Sequence, residues 1–273
     1  MMRILRIAVS VLFVITLAVF SYFYINVKIH TDNTIPVISV EGEMLEVGFK
    51  VTDEELLEGV TAFDEKDKDL TDKVIVETIS KFSEKGVCKV TYAVCDSDNH
   101  VAKATRKIRY KDYESPKFYM TDDICYSLYE TINVNASLGA TDCIDGNISR
   151  NMIITSDDAV SSVAGVYSIN ATVTNSKGDT SAITLPMIIE DRSVAAPHIV
   201  LTDYLVYLKK GQAFDPNKYI EAVTDTEENV LNLEVKVESA VDINKEGIYM
   251  VHYFATDAEG VQGHSVLLVS VGK

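Results

Sequence analysis

The sequence predicts an all-β protein: three β-sandwiches in tandem behind one N-terminal helix. Three observations carry that prediction. A strand-like segment opening on Gly is written three times, from Gly86 to Asp96, Gly165 to Asn175 and Gly247 to Asp257. A proline precedes each copy at a nearly fixed distance, Pro36, Pro116 and Pro197, giving separations of 50, 49 and 50 residues. An uncharged stretch, Ile7 to Val27, stands before all of them. A period this regular marks repeated copies of one folding unit. It divides the chain into residues 1–35, 36–112, 113–193 and 194–273, and units of about 80 residues can each bury one core.

The first 35 residues carry Arg3, Arg6 and Lys28 against Asp32, and the rest holds 40 acidic and 22 basic residues, a balance of −18. Such a surface repels phosphate backbones, so nucleic acid is excluded as a natural partner. As a helix, residues 7–27 reach about 30 Å, the thickness of a bilayer's hydrocarbon core. Phe20, Tyr22, Phe23 and Tyr24 cluster at its far end, where aromatic rings favour the interface. The alternative, a cleaved signal peptide, calls for a shorter apolar run followed by small residues. The reading adopted is an uncleaved, single-pass anchor. Arg3 and Arg6 then keep the N-terminus in the cytoplasm and the repeats outside the cell.

Within each copy the Gly-led segment alternates with period two. In the third, Tyr249, Val251, Tyr253 and Ala255 share one face, while Met250, His252, Phe254 and Thr256 share the face expected to meet solvent. An Asp/Asn-rich turn follows, then another strand (Val101 to Tyr110, Ser181 to Ile189, His264 to Val271), so each copy ends in a β-hairpin. Shorter runs precede it, at Val37 to Val40, Val74 to Thr78, Met152 to Thr155 and Leu233 to Val237. Residues 53–59 hint at one helical turn. Many short strands with regular turns argue for a sandwich. Tyr167 and Tyr249 either form a tyrosine corner, with the hydroxyl bonded back to the chain, or fill core.

Of the four cysteines, Cys88 and Cys95 lie seven apart in one strand and point to opposite faces. Cys125 and Cys143 share the second copy and are the candidates for a disulfide outside the cell. The five histidines are scattered and none stands at ligand spacing from a cysteine. No nucleophile elbow, zinc-protease motif or phosphate loop occurs, which points away from an enzyme. Tyr119, Tyr126, Tyr129, Tyr204 and Tyr207 are candidates for a sugar-stacking surface, or for packing.

The residue pattern resembles the bacterial Ig-like domains of Gram-positive surface proteins and pesticidal crystal toxins. The first copy carries Pro36-Val-Ile and Ala62-Phe-Asp-Glu-Lys-Asp-Lys-Asp-Leu-Thr. The second carries Ala140-Thr-Asp-Cys-Ile-Asp-Gly-Asn-Ile-Ser. In the third the middle motif has decayed to Ala222-Val-Thr-Asp-Thr-Glu-Glu-Asn. The resemblance implies three tandem Ig-like sandwiches serving as spacers, adhesive modules or accessory binding units. In that topology the acidic loop and the hairpin turn share one end of each sandwich. Asp64, Asp67, Asp69 and Asp96 would then gather in the first copy. Asp142, Asp145 and Asp179 would meet the linker residues Asp112 and Glu114, as Glu190 and Asp191 would meet Asp225 and Asp257. Oxygen clusters of this kind can hold Ca²⁺. The competing reading is structural, because Asp and Asn are ordinary turn residues. The expected role is a membrane-held stalk or adhesive ectodomain, with the third copy as contact module. The rival roles are a receptor for an envelope glycan or small ligand and an accessory subunit of a membrane complex.

Overall fold

The structure is a computed structural model that describes residues 2–30, 34–156 and 160–272. It divides into two compact units, Met1–Lys111 and Asp112–Lys273. The first unit opens with helix α1 (Met2–His30). Its span Arg6–Lys28 has a mean hydropathy of 2.2 and none of it is buried, so it is long and apolar enough to cross a membrane.

The first copy builds two sheets. One is ordered β1-β3-β4, from strands β1 (Val37–Val40), β3 (Val60–Asp64) and β4 (Lys68–Asp69). The other is ordered β2-β7-β6-β5, from β2 (Met44–Val47), β5 (Ile75–Ile79), β6 (Val87–Cys95) and β7 (Val101–Tyr110). After β1 the chain crosses to the second sheet, where β2 pairs parallel with the last strand, Leu45 opposite Ile108. The helical turn is α2 (Asp53–Leu56), held by a capping box in which Thr52 and Glu55 bond each other's backbone N–H. It drives Leu56 into the core beside Leu70, Cys88, Val90, Tyr92 and Ile108. Cys95 is exposed at the other end of the strand that buries Cys88, as period two requires.

Arg106 is buried in this core, at 4% exposure. Its guanidinium donates to the carbonyls of Leu56, Glu58 and Glu41, and its Nε donates to the Tyr92 hydroxyl. The Tyr92 hydroxyl in turn donates to the Leu56 carbonyl at 2.8 Å. A charge buried among carbonyls is tolerated because its donors are satisfied.

The second unit repeats the plan twice. The second copy has a sheet ordered β11-β10-β8 and another ordered β12-β13-β14-β9. The strands are β8 (Lys117–Met120), β9 (Cys125–Ser127), β10 (Leu138–Asp142), β11 (Gly146–Asn147), β12 (Ile153–Ser156), β13 (Gly165–Thr174) and β14 (Thr180–Glu190). A short helix, α3 (Val134–Ser137), takes the place of α2. The third copy pairs β15 (His198–Leu201) with β17 (Ile220–Thr224). Against them stands a sheet ordered β16-β20-β19-β18, from β16 (Leu205–Lys209), β18 (Val235–Ser239), β19 (Gly247–Thr256) and β20 (Gln262–Gly272).

Both tyrosines of the repeated strand form the corner. Tyr167 donates to the Val163 carbonyl and Tyr249 to the Lys245 carbonyl, each 2.9 Å away and four residues upstream. Cys88, at the matching place in the first copy, has no hydroxyl for this and is wholly buried.

The third copy is folded back along the second and does not continue beyond it in a row. Phe118 and Cys125 lie toward opposite ends of the second copy, because β8 starts beside the acidic loop whereas β9 pairs with the last residues of β14. The Phe118 carbonyl accepts from the Tyr207 hydroxyl, near the C-terminal end of β20. Cys125 meets His264, at the N-terminal end of β20. Between them, Asp123 accepts from the Ser265 hydroxyl and the Val266 N–H. The buried residues of both copies join in one cluster, from Phe118 to Val271.

Candidate functional site

The acidic loops are tight turns whose carboxylates accept backbone N–H groups. Asp64 Oδ1 accepts from Lys66 and Asp67, and Asp142 Oδ1 accepts from Ile144 and Asp145. The fifth residue of each loop has a positive φ: Lys68 at 66° and Gly146 at 70°. Glycine takes that conformation without steric cost, which accounts for the Asp-Gly of the second copy. The hairpin turns follow one rule. In each, the first side chain accepts from the N–H groups two and four residues on: Asp96 from Asp98 and His100, Asn175 from Lys177 and Asp179, Asp257 from Glu259 and Val261. Asp225 does the same with Glu227 and Asn229. Asp69 accepts from the Thr71 N–H, closing the Asp-Leu-Thr turn.

The two loops do share one end, as expected. Asp67 accepts from the Ser97 N–H, Asp145 from the Ser176 N–H and hydroxyl, and Asp142 from Asn175 Nδ2. In the second copy Asp179 receives the Tyr113 and Ser115 hydroxyls at 2.7 and 2.6 Å. Burial, and then the Asp179 carboxylate, push the Tyr113 phenol well above its ordinary value. The linker thus reaches Asp179 through hydroxyls. Of the linker carboxylates, Asp112 is exposed and Glu114 pairs with Lys117 at 2.5 Å. Hydrogen bonds from Ser97 and Thr71, backbone and side chain, hold Asp67 and Asp69 below the usual carboxylate range, and the side-chain amide and backbone N–H of Asn229 do the same for Asp225. Among the described residues, these loops do not bring three acidic, His or Cys ligand atoms within 4.8 Å of one another.

One group does, and it lies where sequence spacing offered no signal. Cys125 Sγ is 3.4 Å from Glu190 Oε1 and 3.7 Å from His264 Nδ1, and Glu190 Oε2 is 2.9 Å from that same nitrogen. The disulfide expected between Cys125 and Cys143 is therefore not formed. Cys125 faces the third copy, while the Cys143 thiol donates to the Glu114 carbonyl at the other end of its own sandwich. Glu190 is likewise held by His264, not by Asp225 or Asp257.

On the other side of the ring, His264 Nε2 is 2.9 Å from His252 Nδ1. His252 is half-buried against it rather than facing solvent. Its ring stacks on His264 and Phe254, with centroids 5.2 and 6.2 Å away. Burial, and then the neighbouring His264, lower the His252 pKa. Burial alone would raise Glu190, but the His264 bond and the Arg192 charge outweigh it and hold it below the usual range. Arg192 closes the junction by donating to the carbonyls of Cys125 and His264.

This is not the arrangement of an activated nucleophile. A triad places nucleophile and carboxylate on opposite imidazole nitrogens, whereas here both face Nδ1. Burial, with Asp123 and Glu190 nearby, also pushes the Cys125 thiol well up, away from the reactive thiolate.

The five tyrosines do not make a platform. Tyr126 and Tyr204 are buried, Tyr207 is tied to Phe118, and Tyr119 lies across Gly139 with its hydroxyl near Ser149 and Asn147. Tyr129 is 78% exposed.

Comparison with known proteins agrees with this architecture. Two relatives are each 30% identical: an uncharacterised 81.3 kDa protein of Acholeplasma phage L2, over 125 residues, and the pesticidal crystal protein Cry22Aa of Bacillus thuringiensis, over 139 residues. The matches cover 44% and 50% of this chain but only 17% and 18% of the relatives. Among solved structures, Drosophila N-cadherin EC1-3 aligns over 89% of this chain and 90% of its own, at 11% identity and a TM-score of 0.31. The CBM51-2 and INT domains of Clostridium perfringens ZmpB, in complex with GlcNAc, align over 57% and 42% at 14% identity and a TM-score of 0.23. Likenesses that distant carry no argument about fold or function. The model of bacterial surface protein Ig-like domains matches residues 44–109 and 200–271, together half of the chain. The first and third copies are thus matched directly, and the second has the same pair of sheets. The chain belongs to the family of bacterial surface proteins with Ig-like domains.

Proposed function

We infer that this chain is a non-catalytic interaction module of the cell surface, held to the membrane by residues 7–27 with its sandwiches outside the cell. Its membership of a surface-protein family, matched in two separate copies, is the observation that carries the reading. The exposed, uncharged run Ile7–Val27, preceded by Arg3 and Arg6, supports an anchor with a cytoplasmic N-terminus. The acidic exterior supports a protein or glycan partner over nucleic acid. Protein is the better match, because Tyr126 and Tyr204 are buried, the Tyr119 and Tyr207 hydroxyls are bonded, and Tyr129 is left as a single exposed ring.

The test is a binding screen of the full chain in detergent against surface proteins and envelope glycans, beside fractionation of cells expressing it. A specific surface ligand, and membrane retention lost when Ile7–Val27 is deleted, are the expected results. Turnover of an envelope substrate, or a full chain recovered in the cytosol, would contradict the reading.

A further inference from the structure

The group at the junction of the second and third copies is required neither by a turn nor by apolar packing. Cys125 comes from β9, Glu190 from the end of β14, and His264 from β20 of the other copy. Cys125 and His264 are 5% and 7% exposed. We propose that Cys125, Glu190 and His264 bind a divalent transition-metal ion of the zinc class, which cross-links the two copies.

The donor set selects the metal. Thiolate and imidazole favour zinc-like ions, whereas calcium and magnesium take oxygen alone. The geometry fits with small movement. Tetrahedral zinc, with Zn–S near 2.3 Å and Zn–N or Zn–O near 2.0 Å, sets ligand-to-ligand edges of roughly 3.3–3.6 Å. The sulfur edges here are 3.4 Å to Glu190 Oε1 and 3.7 Å to His264 Nδ1, whereas His264 meets the other carboxylate oxygen, Oε2, so a turn of the carboxylate is needed to present one oxygen to the metal. The 2.9 Å contact between Glu190 and His264 Nδ1 must open by a few tenths of an ångström once a metal replaces the proton between them.

Ligation through Nδ1 leaves the ring proton on Nε2, where it is donated to His252 Nδ1. That hydrogen bond orients the ligand in the way outer partners of metal-bound histidines do. The Cys125 thiol gives its proton to solvent on binding. Three protein ligands leave the fourth position to solvent.

Chelator-stripped full chain in detergent is titrated with Co²⁺ and then Zn²⁺. One equivalent of Co²⁺ gives a thiolate-to-cobalt charge-transfer band with tetrahedral ligand-field bands, and one equivalent of Zn²⁺ bleaches both. Cys125→Ser abolishes the thiolate band and Cys143→Ser leaves it intact. Glu190→Gln, His264→Gln and His252→Gln each weaken zinc binding by about tenfold or more. A wild-type spectrum without the thiolate band overturns the proposal, as does a band that survives Cys125→Ser. The decisive signal comes from the unaltered chain, so a variant that fails to fold does not shield the proposal.

Discussion

At the residue scale, the acidic motif is explained by the backbone it closes. Asp142 accepts two N–H groups of its own turn and the amide of Asn175 in the next. Losing such bonds at a site 5% exposed should cost about 1–3 kcal/mol, so Asp142→Ala lowers the thermal midpoint of its unit. Melts of the chelator-stripped chain with and without millimolar Ca²⁺ should coincide. A midpoint several degrees higher with Ca²⁺ would restore the ion-binding reading of these loops. The turn chemistry was legible in the sequence, because Asp-x-x-Asp-Gly specifies a local hydrogen-bond pattern. The partners of Arg106 and Cys125 were not. Arg106 reaches carbonyls 48 to 65 residues away, and Cys125 meets a histidine 139 residues away. Local spacing carries no record of contacts that only the packed fold creates.

At the element scale, alternation located the terminal hairpins and four shorter strands, with ends off by a residue or two, and left the other short strands of each copy unread. The first terminal hairpin strand was read as Val101 to Tyr110, as observed, whereas Leu233 to Val237 proved to be Val235–Ser239. The apolar face of β19 was legible because Val251, Tyr253 and Ala255 repeat with period two and all are buried. Its other face was misjudged at His252, since neighbours from β20 cover it. The seating of the linker on β20 depends on Gly263. A Cβ there would stand 1.8 Å from the Pro197 carbonyl oxygen, so the backbone would have to move. Gly263→Ala should therefore destabilise the third copy by about 1–3 kcal/mol, read as an earlier unfolding transition in calorimetry. An unchanged profile would mean that the linker is not clamped against β20.

At the scale of the whole molecule, composition and period gave the all-β class and the apolar N-terminal segment. They could not give the packing of the third copy on the second. That packing rests on Asp123, Tyr207 and Arg192, each of which gains its role only when its partner arrives from the other copy. The account stands or falls on these sandwiches being displayed outside the cell by the N-terminal span. The most direct measurement is protease treatment of intact bacterial cells expressing the full chain with a tag at each end. The account predicts that the C-terminal tag and the sandwiches are digested while the N-terminal tag stays protected until the membrane is permeabilised. Protection of the C-terminal tag on intact cells, with digestion only after lysis, would contradict it.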